Sequence, residues 1–471
     1  METGFWNGTA VAMEPSSVEK KRCGGLFAQG AVWFILVAAG VSSSARAVHV
    51  VAGPMVGSVT PTSARVWIEI NTSERVRVRC FDVNTNQEMC SIGMTVPGPP
   101  PFVVNAPLGG LLPDHDYRMT LTANGLPLRL PPPSLIIHTP PAPGANKDIT
   151  LAFGSCVNTD RYPSRAIWRS IVRVQPRAFI FAGNTVYLPR KLSEFPYTYE
   201  AARRFIEQRY DEARRFAGFQ RLLRTCPIYA TWDDRDFGTP HSDASFVFAQ
   251  ESLIAFERYW PNPGYGTGHT LGTFCRFSIG DVAVFLLDDR TFRRPPAKNR
   301  PGTMFGSVQL AWLKRHLLAS RADFKLIVDG DPMLPDYPGP SAGYRDWAHF
   351  GNERSRFIHW IFGHDVSGVI FLSGHRRFGE LTLRQPDPNS LDQYPLYELT
   401  SSSLAARPVS PAQMIKYFNT RRVGAPVLEH NFGVISVGGP AGNRHIMLRL
   451  CNAHGKTVLS KMLLAGQLTG N

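Results

Sequence analysis

No C-x-x-C pair occurs among the seven cysteines, Cys23, Cys80, Cys90, Cys156, Cys226, Cys275 and Cys451, which excludes a zinc ribbon and a thioredoxin-type redox site. Internal repeats and low-complexity tracts are also missing, so a solenoid is excluded. Outside residues 24–41 there is no long apolar run, and the rest of the chain therefore carries no transmembrane domain. Acids are scarce as well: 37 Asp and Glu stand against 51 Lys and Arg, a net charge of +14. Such a balance favours polyanionic surroundings, whether cell wall, acidic lipid, nucleic acid or phosphorylated substrates. What is present suits a folded protein, with 43% hydrophobic and 11% aromatic residues, and 41 Gly and 38 Pro to make many turns. The 471 residues suggest two or three domains at roughly 100 to 200 each.

The N-terminus reads as an address. Lys20-Lys21-Arg22 precedes the uncharged AVWFILVAAGV at 31–41, and Ala45-Arg46-Ala47 places small residues at the two recognition positions of a signal peptidase. A secretory signal over 1–47 follows, cut after Ala47, which makes the mature protein exported, periplasmic or secreted. The alternative is an uncleaved tether, since Gly24 to Val41 nearly reaches the ~18 residues a span needs. No twin-arginine motif precedes the run, and Cys23 lies before it, where a lipid-attachment cysteine would not stand. Removing 1–47 takes away four basic and three acidic residues, so +14 becomes +13 and the basic character belongs to the folded protein. In an oxidising compartment Cys80 and Cys90 could form a disulfide.

From Val48 to about Thr139 the pattern is strand and turn. ARVWIEI at 64–70 and RVRVRC at 75–80 alternate with period two. Leu112-Pro113 followed by Tyr117 and YRMTLT predicts the corner of a small fibronectin- or immunoglobulin-like β-sandwich, where a tyrosine hydroxyl pins a crossover. The proline clusters of LRLPPPSLIIHTPPAPGANK then mark a stiff linker, giving a domain over 48–145 and a second over 146–471. In the second, buried-strand patterns alternate with helical ones. ITLAFGSC, AFIFAGN, PIYATWDDRD, DVAVFLLDDR, FKLIVDGD and SGVIFLSGH read as strands, SRAIWRSIVRVQ as a helix, and residues 199–223 as one long helix or two.

Ligands of α/β sheets gather beyond the carboxyl ends of strands. There the chain places Cys156, Asn184, Tyr187, Asp233, Asp234, Arg235, Asp236, Asp288, Asp289, Arg290, His375, Arg376 and Arg377. Thiolate, carboxylate, phenolate and imidazole bind hard or borderline metals, and guanidinium pairs bind phosphate oxygens. Phosphoester chemistry is the natural expectation, with structural Asp–Arg salt bridges as the bland alternative.

The ordered series FGSC, GNTVY, FQRLLRTCPIYATWDDRDFG, LLDDRTF, WLKRHLLASRADFKLIV, FLSGHRRFGEL, YELTSSSL and NFGVISV resembles the PhoD-like alkaline phosphatase family of metallophosphatases. The preceding GPMVGSVTPTSARVWIE at 53–69 is similar to that family's N-terminal domain, so the likeness covers nearly the whole mature chain. The resemblance implies a four-layer α/β/β/α fold behind the sandwich and an exported hydrolase of phosphate mono- or diesters. It also implies a binuclear centre, of iron with calcium in the best understood form. Carried residue by residue, it makes Cys156 and Tyr187 metal ligands and Asp234 an acidic ligand. At other positions the chain departs from the family. Asn184 stands where a bridging Asp is usual, Arg235 where a phosphate-facing His is usual, and His375 and Arg377 where an Asp and a His close the site. Arg345 and Ala348 flank Trp347 where acids are usual.

These exchanges make the site more positive and weaken the attraction that holds two adjacent cations. At most a single divalent or ferric metal is expected. Two readings follow, with catalysis lost or strongly altered as the first. In that reading a pseudophosphatase holds a phosphate-like anion through Arg235, Arg290, Arg376 and Arg377, with Asn184 beside them. In the second, a single metal on Cys156, Tyr187, Asp234 and His375 supports hydrolysis, an arginine replacing the second metal. There Asp234, Arg235 and Arg377 act on the substrate. A further alternative is an exported scaffold. The expected partners are a phosphate ester or other oxyanion and anionic cell-envelope surfaces, with no specific nucleic-acid recognition. Gly433, Trp232 and Trp347 are expected to be structural.

Overall fold

The computed structural model describes residues 48–96, 98–130, 136–158, 166–337, 346–390 and 393–470, so the signal read at 1–47 lies outside the described residues. Val48–Asn471 form one compact unit. Alternation sets its first layers. β1 (Val50–Thr60), β2 (Ser63–Ile70), β3 (Arg75–Asp82), β4 (Glu88–Thr95), β5 (Phe102–Gly109), β6 (Asp116–Ala123), β7 (Leu126–Pro127) and β8 (Ile136–His138) make two antiparallel sheets, β1-β2-β5 and β4-β3-β6-β7 with β8 on β6. In β3, Val76, Val78 and Cys80 point inward while Arg75 and Arg77 face water, as period two requires. The expected tyrosine corner is present: buried Tyr117 accepts a 2.7 Å hydrogen bond on its hydroxyl from the Leu112 amide. Cys80 and Cys90 stand opposite one another in the β3–β4 register as free thiols.

The following segment builds two seven-stranded sheets. The first has the order β11-β10-β9-β20-β21-β22, from β9 (Ile149–Val157), β10 (Ala178–Ala182), β11 (Ile228–Thr231), β20 (Asn431–Gly438), β21 (His445–Asn452) and β22 (Thr457–Leu464), with β18 (Ser402–Ala405) on β9. The second has the order β12-β13-β14-β15-β17-β16-β19, from β12 (Cys275–Ile279), β13 (Val282–Leu286), β14 (Phe324–Val328), β15 (Val369–Ser373), β16 (Gly379–Arg384), β17 (Leu396–Thr400) and β19 (Arg422–Val427). Leu151, Phe153, Ala178, Ile180 and Ile435 of the first sheet share a core with Val284, Leu326, Ile370 and Leu399 of the second. Phe179, Phe181 and Val434, on the opposite face, join a core with α1 (Ala166–Arg173), α2 (Tyr199–Arg215), α3 (Ala217–Leu223), α4 (Asp234–Phe237) and α5 (Ala249–Tyr259). Beyond the second sheet, α6 (Gly306–Ala319) and α7 (Gly351–Phe362) contribute Leu313, Phe357 and Ile361. The result is an α/β/β/α four-layer arrangement. The 199–223 segment is two helices, broken where Phe216 turns to extended backbone at ψ 120. Gly433 lies where a Cβ would come within 1.9 Å of the Phe153 ring, so it serves β9–β20 packing. Among the described residues no helix is long and apolar enough to cross a membrane.

The sandwich rests on the helices α2, α3 and α5. Ala52, Met55, Trp67 and Val103 enter the helical core, and Trp67 Nε1 donates to the Arg258 carbonyl at 2.9 Å. At this contact buried Glu69 faces Asp211 of α2, with Arg214, Arg215 and Tyr259 around the pair. Burial first, and the neighbouring Asp211 second, push the Glu69 carboxyl up to about 8. The folded state therefore binds a proton that the unfolded state releases near its ordinary value of 4.5. Stability from this group is complete below 4.5 and is lost as the pH rises through 8. A slope of up to about 1.4 kcal/mol per pH unit falls in that window. Glu69→Gln is expected to flatten the melting temperature between pH 5 and 8, and to melt above the parent at pH 8. An unchanged pH profile would refute this assignment.

Candidate active site

Parallel strands β9, β10 and β11 in one sheet, and β13, β14 and β15 in the other, direct their carboxyl ends to one place. The loops leaving them are forced close together. A Cβ on Gly183, whose φ is +76, would come within 2.5 Å of the Asp233 Cβ, and one on Gly330 within 2.8 Å. Glycine at these positions lets Asn184 and Asp331 approach Asp233. Cys156, Asn184, His375 and Arg377 all adopt left-handed backbone, at φ +63, +56, +67 and +60. Non-glycine residues in that region cluster at functional sites.

Asp233 is the centre. It is fully buried and its two oxygens face different partners. Oδ1 accepts from Arg290 Nη2, while Oδ2 meets His375 Nδ1 and accepts from Asn184 Nδ2 at 2.5 Å. Arg290 Nη2 also reaches Asp331 Oδ2 at 2.6 Å and Asp289 Oδ2 at 3.1 Å. His375 Nδ1 lies 3.7 Å from Asp234 Oδ1 and 3.6 Å from Asp331 Oδ1. Among the described His, Cys, Asp and Glu residues, two groups have ligand atoms all within 4.8 Å of one another: Asp233, Asp234 and His375, and Asp233, Asp289 and Asp331. Asp233 is common to both. The Arg290 guanidinium contacts all three members of the second group and, of the first, Asp233.

The charges are uneven. Buried Asp233, Asp234, Asp289, Asp329, Asp331 and Asp346 face only three buried arginines, Arg290, Arg293 and Arg376. Burial, with Asp331, Asp233 and Asp329 nearby, drives the Asp289 and Asp329 carboxyls well up despite Arg290. Burial acts on Asp234 in the same sense, yet His375 and Arg290 outweigh it and hold that carboxyl at about 2. Asp234 Oδ1 is nevertheless buried with no hydrogen-bond donor. An ionised, orphaned oxygen beside an imidazole suits a metal ion, and the donor set of two carboxylates and a histidine suits a divalent or ferric one.

The residues picked from the sequence fall into three groups. Asp234 and His375 share the candidate metal triad with Asp233. Cys156 is buried next to it with its thiol 3.3 Å from the His375 carbonyl oxygen, and Tyr187 lies close enough to hydrogen-bond Cys156. Burial raises both Cys156 and Tyr187, so each keeps its proton in the absence of a cation. Neither Cys156 nor Tyr187 belongs to the triad itself. The arginines divide. Arg290 and Arg376 are turned inward, Arg376 lying 3.2 Å from Asp346 and 3.7 Å from Asp331. Arg235 is half-buried, donates to the Leu188 carbonyl and stacks 5.2 Å over the Tyr187 ring, and Arg377 is exposed. Asn184 is buried and accepts from the Arg235 amide at 2.8 Å, so it joins the Asp233 and Arg235 loops.

Asp236 and Asp288 are turn-makers. Asp236 accepts from the Thr185 and Val186 amides, and Asp288 from Trp232 Nε1, Thr273 and Arg290. Trp232 and Trp347 are buried, Trp347 donating to Glu353 at 3.0 Å. Arg345 lies outside the described residues, whereas its neighbour Asp346 joins the site through Arg376. Sequence reading gave no role to Asp329, Asp331, Asp346 or His241. The strand-end rule applied to FKLIVDGD would have found the first two. His241 follows no strand; its amide donates to Asp234 Oδ2 at 3.0 Å and its Nδ1 lies 3.7 Å from the same oxygen.

A sequence model of PhoD-like phosphatases matches residues 151–432, the segment that supplies every residue of this cluster. The chain belongs to the PhoD-like phosphatase family. Among solved structures the chain is similar to one titled "Structure of PhoD", with 16% identity, 87% of this chain and 88% of that one covered, and a TM-score of 0.69. It is also similar to the purple acid phosphatase PPD1 from yellow lupin (Lupinus luteus) seeds, at 12% identity, 87% and 74% coverage and a TM-score of 0.63. At these identities the likeness establishes a common fold. A comparison with curated protein sequences gives no match. Within the PhoD-like family fold, the two ligand groups sharing Asp233 lie at the junction of the two sheets.

Proposed function

We propose that the protein is an exported phosphoester hydrolase of the PhoD-like family that works with a single metal ion. The carrying observation is that two adjacent ligand groups share Asp233 and that one already holds a permanent cation, Arg290. Asp233, Asp234 and His375 would hold the metal, with Asp331 Oδ1, 3.6 Å from His375 Nδ1, and then Cys156 and Tyr187 as further donors. A metal bound there supplies Lewis-acid polarisation of a phosphoryl oxygen and a water of lowered pKa. Arg290 orients Asp233 and supplies fixed positive charge. Arg235 and Arg377, both beside Tyr187, would bind phosphoryl oxygens. His241, with 41% of its side chain exposed, is placed to carry a proton between Asp234 and solvent. The orphaned Asp234 Oδ1 beside His375 favours a cation over direct capture of an anion by Arg290 and Arg376, which are turned onto carboxylates.

The test pairs metal content of the purified mature chain with turnover of a mono- and a bis-nitrophenyl phosphate. About one equivalent of metal is expected, with turnover falling in Cys156→Ala by about the 10- to 100-fold typical of a residue that supports the ligands. A metal-free, inactive chain that still gains thermal stability from phosphate would instead establish an anion-binding pseudophosphatase.

A further inference from the structure

A second cluster of positive charge lies away from the metal-capable triad, on the face of the second sheet carrying Glu380, Thr382 and Arg384. These three alternate along β16 with Leu381 and Leu383, which enter or flank the core. The first two are matched: Glu380 pairs with Arg422 at 2.5 Å, and Thr382 meets Asn419 at 3.0 Å. Arg384 is not. Its Nη1 is buried and has no hydrogen-bond partner. Instead it lines a cavity of about 110 Å³ with Arg354 of α7 and Arg421. Arg354 and Arg421 converge on one carboxylate, Asp336, at 2.5 and 2.6 Å. They also clamp the loop beyond Asp331, Arg354 donating to the Pro335 carbonyl at 3.2 Å and Arg421 to that of Leu334 at 2.8 Å. Asp387 is a further acid whose field reaches Arg384.

We infer that Arg354, Arg384 and Arg421 form an oxyanion site that takes a single tetrahedral dianion, a phosphoryl or sulfuryl group. Three guanidiniums held together repel one another, and two acids, Asp336 and Asp387, do not balance them; a dianion removes that repulsion and supplies an acceptor for the unpartnered Arg384 Nη1. The cavity is well below the roughly 300 Å³ at which pockets for drug-sized ligands begin, so only the charged head group is enclosed. Because none of these residues belongs to the metal-capable cluster, the inference stands independently of the hydrolase reading.

The experiment soaks crystals of the mature chain in tungstate and locates it by anomalous scattering. In parallel, melting temperatures are measured in sulfate and in chloride at equal ionic strength for the parent, Arg384→Gln and Arg384→Glu. Expected are a tungstate peak among the three arginines and a sulfate-dependent rise in melting temperature. That rise should at least halve in Arg384→Gln and vanish in Arg384→Glu. Arg384→Gln keeps metal content and turnover, and carries the comparison alone if Arg384→Glu does not fold. Displacement of the tungstate by glycerol 3-phosphate assigns the site to phosphate esters, and displacement by inorganic phosphate alone assigns it to the free anion. Absence of a peak there, or an equal sulfate effect in Arg384→Gln, overturns the proposal.

Discussion

Arg290→Ala is expected to melt well below the parent in chelator and to recover much of the loss when a divalent cation is added. The guanidinium is 1% exposed, and one of its nitrogens donates to Asp233 and Asp331 and lies 3.1 Å from Asp289 Oδ2. Removing one side of a buried ion pair leaves uncompensated charge, a cost of about 3–5 kcal/mol. The carboxylates left behind keep their geometry. Their ligand atoms lie within 4.8 Å of one another, which is close enough for one cation to bridge. A cation that binds only the folded state stabilises it by mass action. The bound metal should therefore rise from one equivalent to two in this variant. Arg290→Lys should fall between, since an ammonium keeps the charge but lacks the second guanidinium nitrogen, which reaches the Ser242 carbonyl at 3.4 Å. A variant that melts like the parent in chelator, or that ignores divalent cations, would show that Arg290 is not a stand-in for a second metal.

That role could not be read from the sequence, although most of the framework could. Alternation and turn residues disclosed the sandwich down to Tyr117, because those signals act over a few residues. Strand ends disclosed Asp233, Asp234, Asp289, Arg290 and His375 as neighbours, because the topology of parallel strands puts their carboxyl ends together. Which way an arginine points is a different matter. Arg290 turns inward because Asp233, 57 residues away, and Asp331, 41 residues away, are brought to it when two sheets stack face to face. Arg376 turns inward for Asp346, the residue before a 3-10 turn that no periodicity announces. From the sequence, Arg290, Arg376 and Arg377 look alike; in the fold two of them are counter-ions and one faces solvent. The net positive charge of the chain thus coexists with a site built around buried carboxyl groups.

The same asymmetry makes Asp234 the most informative ligand to remove. Asp233 is tied to Arg290, His375 and Asn184, so its loss would disturb folding and chemistry together. Asp234 Oδ2 accepts one backbone hydrogen bond, from His241, and its Oδ1 has no donor at all. Replacing it by alanine gives up one hydrogen bond of about 1 kcal/mol and the attraction of His375 and Arg290 for this carboxylate, a modest cost that the fold should tolerate. Asp234→Ala is accordingly expected to melt near the parent in chelator, to lose the bound metal, and to lose turnover by more than about 100-fold, beyond the range of an outer-shell change. Arg377→Asp should behave in the opposite way. Metal content should persist while KM rises, because its exposed side chain is placed to meet the substrate rather than the ion. If Asp234→Ala retained metal and turnover together, the ion would have to lie outside the Asp233, Asp234 and His375 triad, and the single-metal reading would fall with it.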